Sequence, residues 1–181
     1  DRSGSMLESI YSRLMVNHQK SARMSLENAE LTKISVNTFV TTKITFANML
    51  AEICEKLPGG DVDVVTNALG LDSRIGRKYL TGSIGYGGPC FPRDNVALSY
   101  IAGQLGVKAG LAETTDSMNR AVAEKVSKRI LPMINPGATV AVLGLSYKPF
   151  SHVTEESQGV YVAKQLSNNG LRVVAFDPMS S

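Results

Sequence analysis

Apolar residues recur at helical spacing through the first third of the chain and predict two helices. The first covers 5–23. The second covers 26–57, where Ser25 can cap its start and Pro58 ends it. The second helix carries apolar residues on more than one face. We therefore expect it to be buried on several sides, one of them against a partner subunit.

Shorter helical patterns follow the long one. They predict helices over 61–69, 95–105 and 115–134, and the first two are separated by a loop over 72–94. This loop contains five glycines and two prolines, which exclude a regular helix or strand through it. It is the most informative segment of the sequence.

The pattern changes after Asn135, where two short apolar runs replace the helical spacing. Residues 139–144 and 171–176 predict buried strands, and the helix between them has Glu155 and Glu156 in its first turn. Strand, helix and strand within about 40 residues form one βαβ unit, which is typical of a parallel α/β sheet.

These elements predict a mainly α domain with one long helix over 1–134, followed over 135–181 by the start of an α/β Rossmann-like domain. The chain opens on a polar stretch and stops just after an apolar run. We therefore expect it to be part of a larger protein.

Composition narrows the class of protein. Of the 181 residues, 43% are apolar and 19% are charged, which is enough apolar surface for a core and excludes a disordered chain. The net charge of +3 is spread along the sequence, so we expect no nucleic-acid partner. No apolar run approaches the roughly 20 residues of a membrane span and no signal peptide is visible, so we expect a cytoplasmic, membrane-free protein.

The two cysteines, Cys54 and Cys90, lie in different settings and give neither a disulfide framework nor a zinc pattern. We expect no metal. Cys54 falls inside a helical pattern and is predicted to be core. Cys90 follows Gly85-Tyr86-Gly87-Gly88-Pro89, where a helix end and Arg93 would favour the thiolate, and Asp94 is within reach as a base. The alternative is a small buried cysteine in a glycine turn.

Two further groups of polar residues could carry chemistry. Glu30, Lys33, Asn37 and Thr41 form one stripe of the long helix, which is either an anion-binding lysine with its neighbours or an exposed polar stripe. Lys148 follows the first strand of the βαβ unit, where ligands of α/β sheets bind, and could bind phosphate.

Three segments together resemble the nucleotide-sugar dehydrogenase family, closest to its UDP-glucose 6-dehydrogenase branch. They are Ala-Glu-Leu-Thr-Lys at 29–33 with Asn37, Gly-Tyr-Gly-Gly-Pro-Cys-Phe-Pro-Arg-Asp at 85–94, and Gly-Leu-Ser-Tyr-Lys-Pro at 144–149. The resemblance covers essentially the whole chain. It implies the family's central helical dimerisation domain and the first part of its C-terminal domain, without the N-terminal NAD-binding domain.

The resemblance implies an activity in which C6 of a nucleotide sugar is oxidised from alcohol to acid with two NAD⁺. It makes Cys90 the nucleophile that captures the aldehyde as a thiohemiacetal, which becomes a thioester and is hydrolysed. Lys33 and Asn37 would stabilise the developing oxyanions, and Asp94 would assist proton transfer and position water.

The resemblance also implies the binding residues and the oligomer. A homodimer would form through 26–57, Arg74 would reach the partner subunit's substrate, and Cys90 and Arg93 would lie beside NAD. The residues implied to contact the UDP-sugar are Lys33, Asn37, Arg74, Tyr79, Leu80, Thr81, Gly82, Ser83, Gly87, Tyr147 and Lys148.

Two residues depart from the family pattern. Pro89 stands where Ser is common, and Glu155 stands where an NAD-contacting Arg is frequent. The loop lacks the Gly-Gly-His-Cys form more often found in branches acting on N-acetylhexosamines, so UDP-glucose is favoured over a UDP-N-acetylhexosamine or GDP-mannose.

Two hypotheses of other classes stay open. The chain by itself could be a non-catalytic dimerisation and sugar-nucleotide-binding module. A cysteine hydrolase would need a general-base histidine near Cys90, and neither His18 nor His152 is an obvious candidate.

Overall fold

A computed structural model describes residues 2–16, 21–135 and 137–180. The chain divides between Lys33 and Ile34 into two compact units, which are described separately. The second helix, α2 (Leu26–Cys54), runs through this division.

The first unit contains α1 (Arg2–Leu14) and the start of α2. The prediction of one helix over 5–23 was wrong in its bounds, because α1 ends at Leu14 and 21–25 are not helical; His18 lies outside the described residues. None of the residues of α1 is buried.

α2 begins after Ser25, as predicted, and the Ser25 hydroxyl accepts a hydrogen bond from the Asn28 amide at 3.3 Å. It ends at Cys54, three residues earlier than predicted. Cys54 is 8% exposed, which confirms its assignment to the core. Beyond it, the amide of Gly60 donates to the carbonyl of Leu57 at 2.8 Å and closes the turn.

A short helix, α3 (Val62–Gly70), confirms the prediction over 61–69. Its first turn is capped by the carboxylate of Asp61, which accepts hydrogen bonds from the amides of Asp63 and Val64 at 2.8 and 3.2 Å. This is the ordinary N-cap arrangement that satisfies otherwise unpaired amides.

The next helix, α4 (Phe91–Gln104), starts four residues before the predicted 95–105. Pro92 did not prevent this start, because proline is tolerated in a first turn, where no amide partner is needed. Cys90 therefore sits at the N-cap position of α4.

The single helix predicted over 115–134 is wrong. The structure has α5 (Gly110–Arg120), α6 (Val122–Ile130) and a 3₁₀ turn at Leu131–Met133. The start of α5 escaped detection because its buried face consists of Ala112, Thr115 and Asn119 rather than large apolar residues. Hydrophobic periodicity has no signal for such a face.

The predicted βαβ unit is confirmed, but the prediction of buried strands was wrong, because no residue of either strand is buried. β1 (Thr139–Leu143) pairs in parallel with β2 (Arg172–Phe176), with Ala141 opposite Val174, and α7 (Gln158–Asn168) connects them. The prediction that Glu155 and Glu156 lie in the first turn of α7 was wrong. Glu156 has a φ of 52°, in the left-handed region, which is incompatible with a right-handed helix. α7 therefore begins two residues after it, at Gln158.

The apolar core of the βαβ unit includes a helix from the helical part of the chain. Ala123 of α6 packs with Val162 and Leu166 of α7, and these three are 3%, 8% and 1% exposed. The other face of the sheet is open, with Leu143 78% and Val174 51% exposed. The described residues therefore cover one face of a parallel sheet. None of the helices the structure describes has the length and apolar character to cross a membrane.

Candidate active site

The loop before α4 is a close-packed glycine turn. Gly85 and Gly88 have φ values of 101° and 84°, which side-chain-bearing residues rarely adopt. A Cβ on Gly85 would collide with the amide oxygen of Asn119, and a Cβ on Gly88 would collide with the ring of Tyr147. Neighbouring protein groups therefore fill the space beside both glycines.

Cys90 follows this turn directly, and its side chain is exposed. Its carbonyl accepts a hydrogen bond from the amide of Asp94 at 2.9 Å, which forms the first turn of α4. Cys90 and Asp94 therefore lie one helical turn apart. The Asp94 residue is 2% exposed, although it lies next to the exposed thiol along the helix.

The carboxylate of Asp94 accepts hydrogen bonds from Asn37 and Arg93. The side-chain amide of Asn37 donates to one carboxylate oxygen at 2.6 Å, and the guanidinium of Arg93 donates to the other at 3.3 Å. A buried carboxylate needs such partners, because an unpaired buried charge is costly. The structure thus brings together three residues that the sequence assigned to one site.

The polar stripe of α2 changes in exposure along its length. Glu30 and Lys33 are exposed, Asn37 is half-buried and Thr41 is fully buried. Lys33 lies one turn before Asn37 on the same helix. Within the second unit, burial increases from Asn37 to Thr41, and Asn37 contacts Asp94.

A buried hydrogen-bond network behind the turn was not foreseen from the sequence. Asn95, which is 0% exposed, donates to the hydroxyls of Thr41 and Tyr86, each at 3.0 Å. Burial, with the nearby carboxylate of Asp116, raises the pKa of Tyr86 well above its usual range. Tyr86 therefore stays neutral and can act as a hydrogen-bond donor and acceptor between α2 and α4.

Asn119 and Gln158 also hold Tyr86 and were not predicted. The side-chain oxygen of Asn119 accepts from the Tyr86 amide at 2.9 Å, and its NH₂ donates to the Tyr86 carbonyl at 2.9 Å. Gln158 donates to the same carbonyl at 3.2 Å. In the sequence, Asn119 and Gln158 are visible only as polar residues in helical segments. Hydrophobic periodicity does not show whether such residues are buried.

The segment implied to contact the sugar, 79–83, has mixed exposure. Tyr79 has a φ of 65° and is 52% exposed, whereas Leu80 is 1% exposed. Only the main chain of Leu80 could contact a ligand, and its carbonyl already accepts a hydrogen bond from Arg77. The amide of Ser83 donates to the side chain of Asn48 at 2.7 Å, which ties the segment to α2; Thr81 is exposed and Gly82 half-buried.

Arg74 extends from a separate turn. Its side chain is 87% exposed and pairs with Asp72 at 2.6 Å. This hydrogen-bonded pairing raises the pKa of Arg74 and lowers that of Asp72. The Nζ of Lys43 donates to the carbonyls of Ile75 and Gly76 at 2.9 and 3.1 Å and fastens the turn to α2.

Tyr147 and Lys148 follow β1 and lie beside the glycine turn. The Nζ of Lys148 is 5.3 Å from the centre of the Tyr147 ring, a cation–π distance, and that ring covers Gly88. The carbonyl of Glu155 accepts a hydrogen bond from the Gly88 amide at 2.9 Å. The structure therefore places Tyr147 and Lys148, the residues implied to hold the nucleotide end, beside the glycine turn.

The loop after β1 is fixed by Asp177. One oxygen of its carboxylate accepts from the amides of Leu145 and Ser146, each at 2.7 Å, and the other accepts from Met179 and Ser180 at 2.8 and 3.2 Å. These backbone donors, with Ser146 the strongest, hold the pKa of Asp177 far below its usual range.

A cavity of about 410 Å³ lies elsewhere, between α2 and α6. Ser83 lines it, but Cys90 and Asp94 do not. Its walls carry two ion pairs that cross between the helices, Glu52–Lys125 at 2.6 Å and Glu55–Arg129 at 2.7 Å. The exposed Cys90 and the buried Asp94 therefore lie at the start of α4, outside this cavity. The described residues contain no cluster of His, Cys, Asp and Glu that could hold a metal ion.

Two curated proteins with similar sequences are UDP-glucose 6-dehydrogenases. The enzyme TuaD of Bacillus subtilis (strain 168) is 38% identical over 165 residues, which cover 90% of this chain and 36% of that protein. The enzyme of Rhizobium meliloti (strain 1021) is 36% identical over 181 residues, covering 98% and 41% respectively. The chain thus spans about two fifths of the length of these relatives.

A solved structure has the same fold over almost the whole chain. It is a UDP-glucose dehydrogenase from the hyperthermophilic archaeon Pyrobaculum islandicum, with a TM-score of 0.91 and 33% sequence identity, covering 99% of this chain and 41% of that one. The helical part followed by the start of a Rossmann-like domain, predicted from the sequence, is thereby confirmed.

The model of one protein family matches residues 27–121, more than half of the chain. That model describes the central domain of UDP-glucose/GDP-mannose dehydrogenases. The matched range includes all but the first residue of α2, together with the glycine turn, Cys90 and Asp94, so the resemblance drawn from the sequence motifs is confirmed. This chain belongs to the UDP-glucose/GDP-mannose dehydrogenase family.

Proposed function

We propose that this chain supplies the catalytic cysteine of an NAD-dependent UDP-glucose 6-dehydrogenase, which oxidises UDP-glucose to UDP-glucuronate. The observation that supports this most strongly is the position of Cys90. Its thiol is exposed at the start of α4, one turn from a buried carboxylate, Asp94, that Asn37 holds at 2.6 Å. A nucleophile beside a fixed carboxylate suits covalent capture of an aldehyde.

Cys90 makes the second oxidation possible. Its thiolate adds to the C6 aldehyde and forms a C–S bond, and protonation of the oxygen gives a thiohemiacetal. Loss of the C6 hydride and the hydroxyl proton converts that adduct to a thioester. Water then cleaves the C–S bond, which releases the carboxylate and regenerates the thiol.

Lys33, Asn37 and Asp94 assist these steps in the proposal. Asn37 has a second N–H besides the one that binds Asp94, and Lys33 lies one turn away on the same helix. Both can donate to the oxyanion that develops on the aldehyde carbon. Asp94 is fixed by Asn37 and Arg93, so its carboxylate keeps one orientation from which it can accept a proton from water.

NAD⁺, when bound, accepts one hydride in each oxidation. The described residues that fit beside it are the exposed Cys90 and Arg93, whose side chain is 64% exposed. The sequence has no G-x-G-x-x-G turn after a strand. We therefore propose that most of the cofactor site lies in the portion of the relatives that this chain does not match. The thiol chemistry requires a reduced cysteine, which fits the cytoplasm.

The remaining residues would bind the UDP-sugar. The segment 79–83 and Gly87 would surround the sugar, while Tyr147 and Lys148 would hold the nucleotide end. The ammonium of Lys148 suits a diphosphate, because it follows β1, at the edge of the sheet where α/β domains bind nucleotides.

We also propose a homodimer through α2. Val36, Phe39, Phe46 and Ile53 repeat at spacings of three and seven residues along the helix and are 44–65% exposed. A continuous apolar stripe of this kind is suited to pairing with a second copy. The exposed Arg74 would then be available to the partner's substrate. We further propose that the boundary between the helical domain and the α/β domain lies between residues 134 and 135.

The test requires a protein that contains this chain together with the parts of the relatives it lacks. We expect such a protein to form two NADH per UDP-glucuronate from UDP-glucose, with slower turnover of UDP-N-acetylglucosamine and GDP-mannose. Cys90→Ser should abolish turnover, and the matched variant Cys54→Ser should retain it. Full turnover by Cys90→Ser would overturn the proposal, and preference for another nucleotide sugar would replace the substrate.

A further inference from the structure

The side-chain amide of Asn119 pairs with the main chain of Tyr86 through two hydrogen bonds. Its oxygen accepts from the Tyr86 amide and its NH₂ donates to the Tyr86 carbonyl, both at 2.9 Å. Asn119 is 5% exposed, so water does not compete for these bonds. The two bonds bind the amide and the carbonyl of the same residue, as in a hydrogen-bonded pair of antiparallel strands. They therefore fix the position and the orientation of the Tyr86 main chain.

Tyr86 in turn is joined to the start of α4 by its side chain. Its ring meets Phe91 edge to face, with centroids 6.0 Å apart, and its hydroxyl accepts from Asn95 at 3.0 Å. Phe91 directly follows Cys90. The segment 86–91, which carries Cys90, is therefore held at both ends. Asn119 binds the main chain of Tyr86, and the side chain of Tyr86 contacts Phe91 and Asn95 in α4.

The close fit extends to the glycines of the turn. A Cβ on Gly85 would collide with the side-chain oxygen of Asn119, and a Cβ on Gly87 would collide with the carbonyl of Glu156. Gln158 adds a donor to the Tyr86 carbonyl at 3.2 Å and another to the Asn119 carbonyl at 3.4 Å. These contacts pack the turn closely against Asn119, Glu156 and Gln158.

We propose that Asn119 is a positioning residue for Cys90, which acts through Tyr86 to set the thiol relative to Asp94. This inference rests on the proposed function, because Asn119 can position Cys90 for catalysis only if Cys90 is the nucleophile. Asn119 itself contacts main chain rather than reacting groups. Its loss should therefore lower kcat more than it raises KM for the nucleotide sugar.

The experiment compares three variants in the complete enzyme. Asn119→Ala removes both bonds, and Asn119→Asp keeps the acceptor for the Tyr86 amide but loses the donor to its carbonyl. Val162→Ala lowers stability from the βαβ core, away from the turn. We expect kcat to fall by about tenfold or more in both Asn119 variants with KM within about threefold, and kcat to stay within about twofold in Val162→Ala.

Hydrogen exchange of the Tyr86 amide gives a local readout. It should accelerate by about tenfold or more in Asn119→Ala, less in Asn119→Asp, and not in Val162→Ala. If Asn119→Ala does not fold, the isosteric Asn119→Asp decides by its kcat. Unchanged kcat in a folded Asn119 variant, or an equal loss of kcat in Val162→Ala, would overturn the inference while leaving the proposed function intact. An inactive wild-type enzyme would instead overturn the proposed function.

Discussion

The side-chain amide of Asn37 donates to the carboxylate of Asp94 at 2.6 Å and joins α2 to the first turn of α4. The two residues are 57 positions apart in the sequence. This bond places the end of a polar stripe beside the helix that begins at Cys90. The site therefore exists only once α2 and α4 have packed, which makes its geometry a property of the helical part of the fold.

Replacing Asp94 with Asn should remove activity without unfolding the protein. The amide keeps the shape of the side chain but cannot accept a proton, so we expect kcat to fall by about two orders of magnitude. Removing a buried charge leaves stability little changed, because its desolvation cost disappears together with its hydrogen bonds. Steady-state kinetics and thermal unfolding check this. Glu124→Gln, an exposed change of the same kind, serves as the control, and equal activity in the two variants would contradict the role of Asp94.

Gly88→Ala should destabilise the protein more than Gly170→Ala does. Both glycines have a φ near 80°, at 84° and 82°, so both variants incur the strain of the left-handed region, about 1 kcal/mol. Only at Gly88 does the new methyl collide with a neighbour, the Tyr147 ring; nothing lies within 4 Å at Gly170. We expect a total loss of about 2–4 kcal/mol for Gly88→Ala. Denaturant unfolding measures the difference, and equal losses would mean that Tyr147 does not cover Gly88.

The two cysteines should differ strongly in their rate of alkylation. Cys90 is exposed and Cys54 is 8% exposed, so iodoacetamide should modify Cys90 at least about tenfold faster in the native protein. Mass spectrometry of the two cysteine peptides gives both rates in one sample. The difference should vanish in denaturant, and similar native rates would place Cys54 at the surface.

Asp177→Asn should lower stability at neutral pH and matter less in acid. Four backbone amides donate to the carboxylate and lower its folded pKa. A lowered folded pKa contributes stability above the ordinary aspartate pKa of about 4, and this contribution is lost as the pH falls through the folded value. The gap in melting temperature between wild type and variant should therefore be largest near pH 7 and narrow below about pH 4.

Asp63→Asn is the matched control for that experiment, since this carboxylate lies at the exposed start of α3. Its effect on the melting temperature should be small and should not follow the same pH course. A pH-independent gap for Asp177→Asn would show that the charge of Asp177 contributes nothing.

The sequence predicted α2 and the βαβ unit, and it placed Cys90 and Asp94 close together, because each has a local signal. Long apolar periodicity, two short apolar runs and a glycine-rich turn before a helix can all be recognised within a few residues of one another. The same logic missed the start of α5, whose buried face carries Thr115 and Asn119.

The polar network behind the turn could not be predicted for a related reason. Asn95, Asn119 and Gln158 are ordinary polar residues in sequence, and only tertiary packing buries them around Tyr86. Burial turns each into an obligatory hydrogen-bonding group, because an unpaired amide inside the protein is costly. Asn119 and Gln158 lie 33 and 72 residues from Tyr86 in the sequence, so no local pattern links them to it.

The central claim is that Cys90 forms a covalent bond with the oxidised sugar. Acid quenching during turnover with UDP-glucose and NAD⁺, followed by mass spectrometry of the Cys90 peptide, tests it most directly. We expect a fraction of that peptide to carry the mass of the acyl sugar nucleotide, absent without NAD⁺ and in Cys90→Ser. Turnover of UDP-glucose without an adduct on Cys90, or with an adduct on Cys54 instead, would contradict the proposed covalent bond to Cys90.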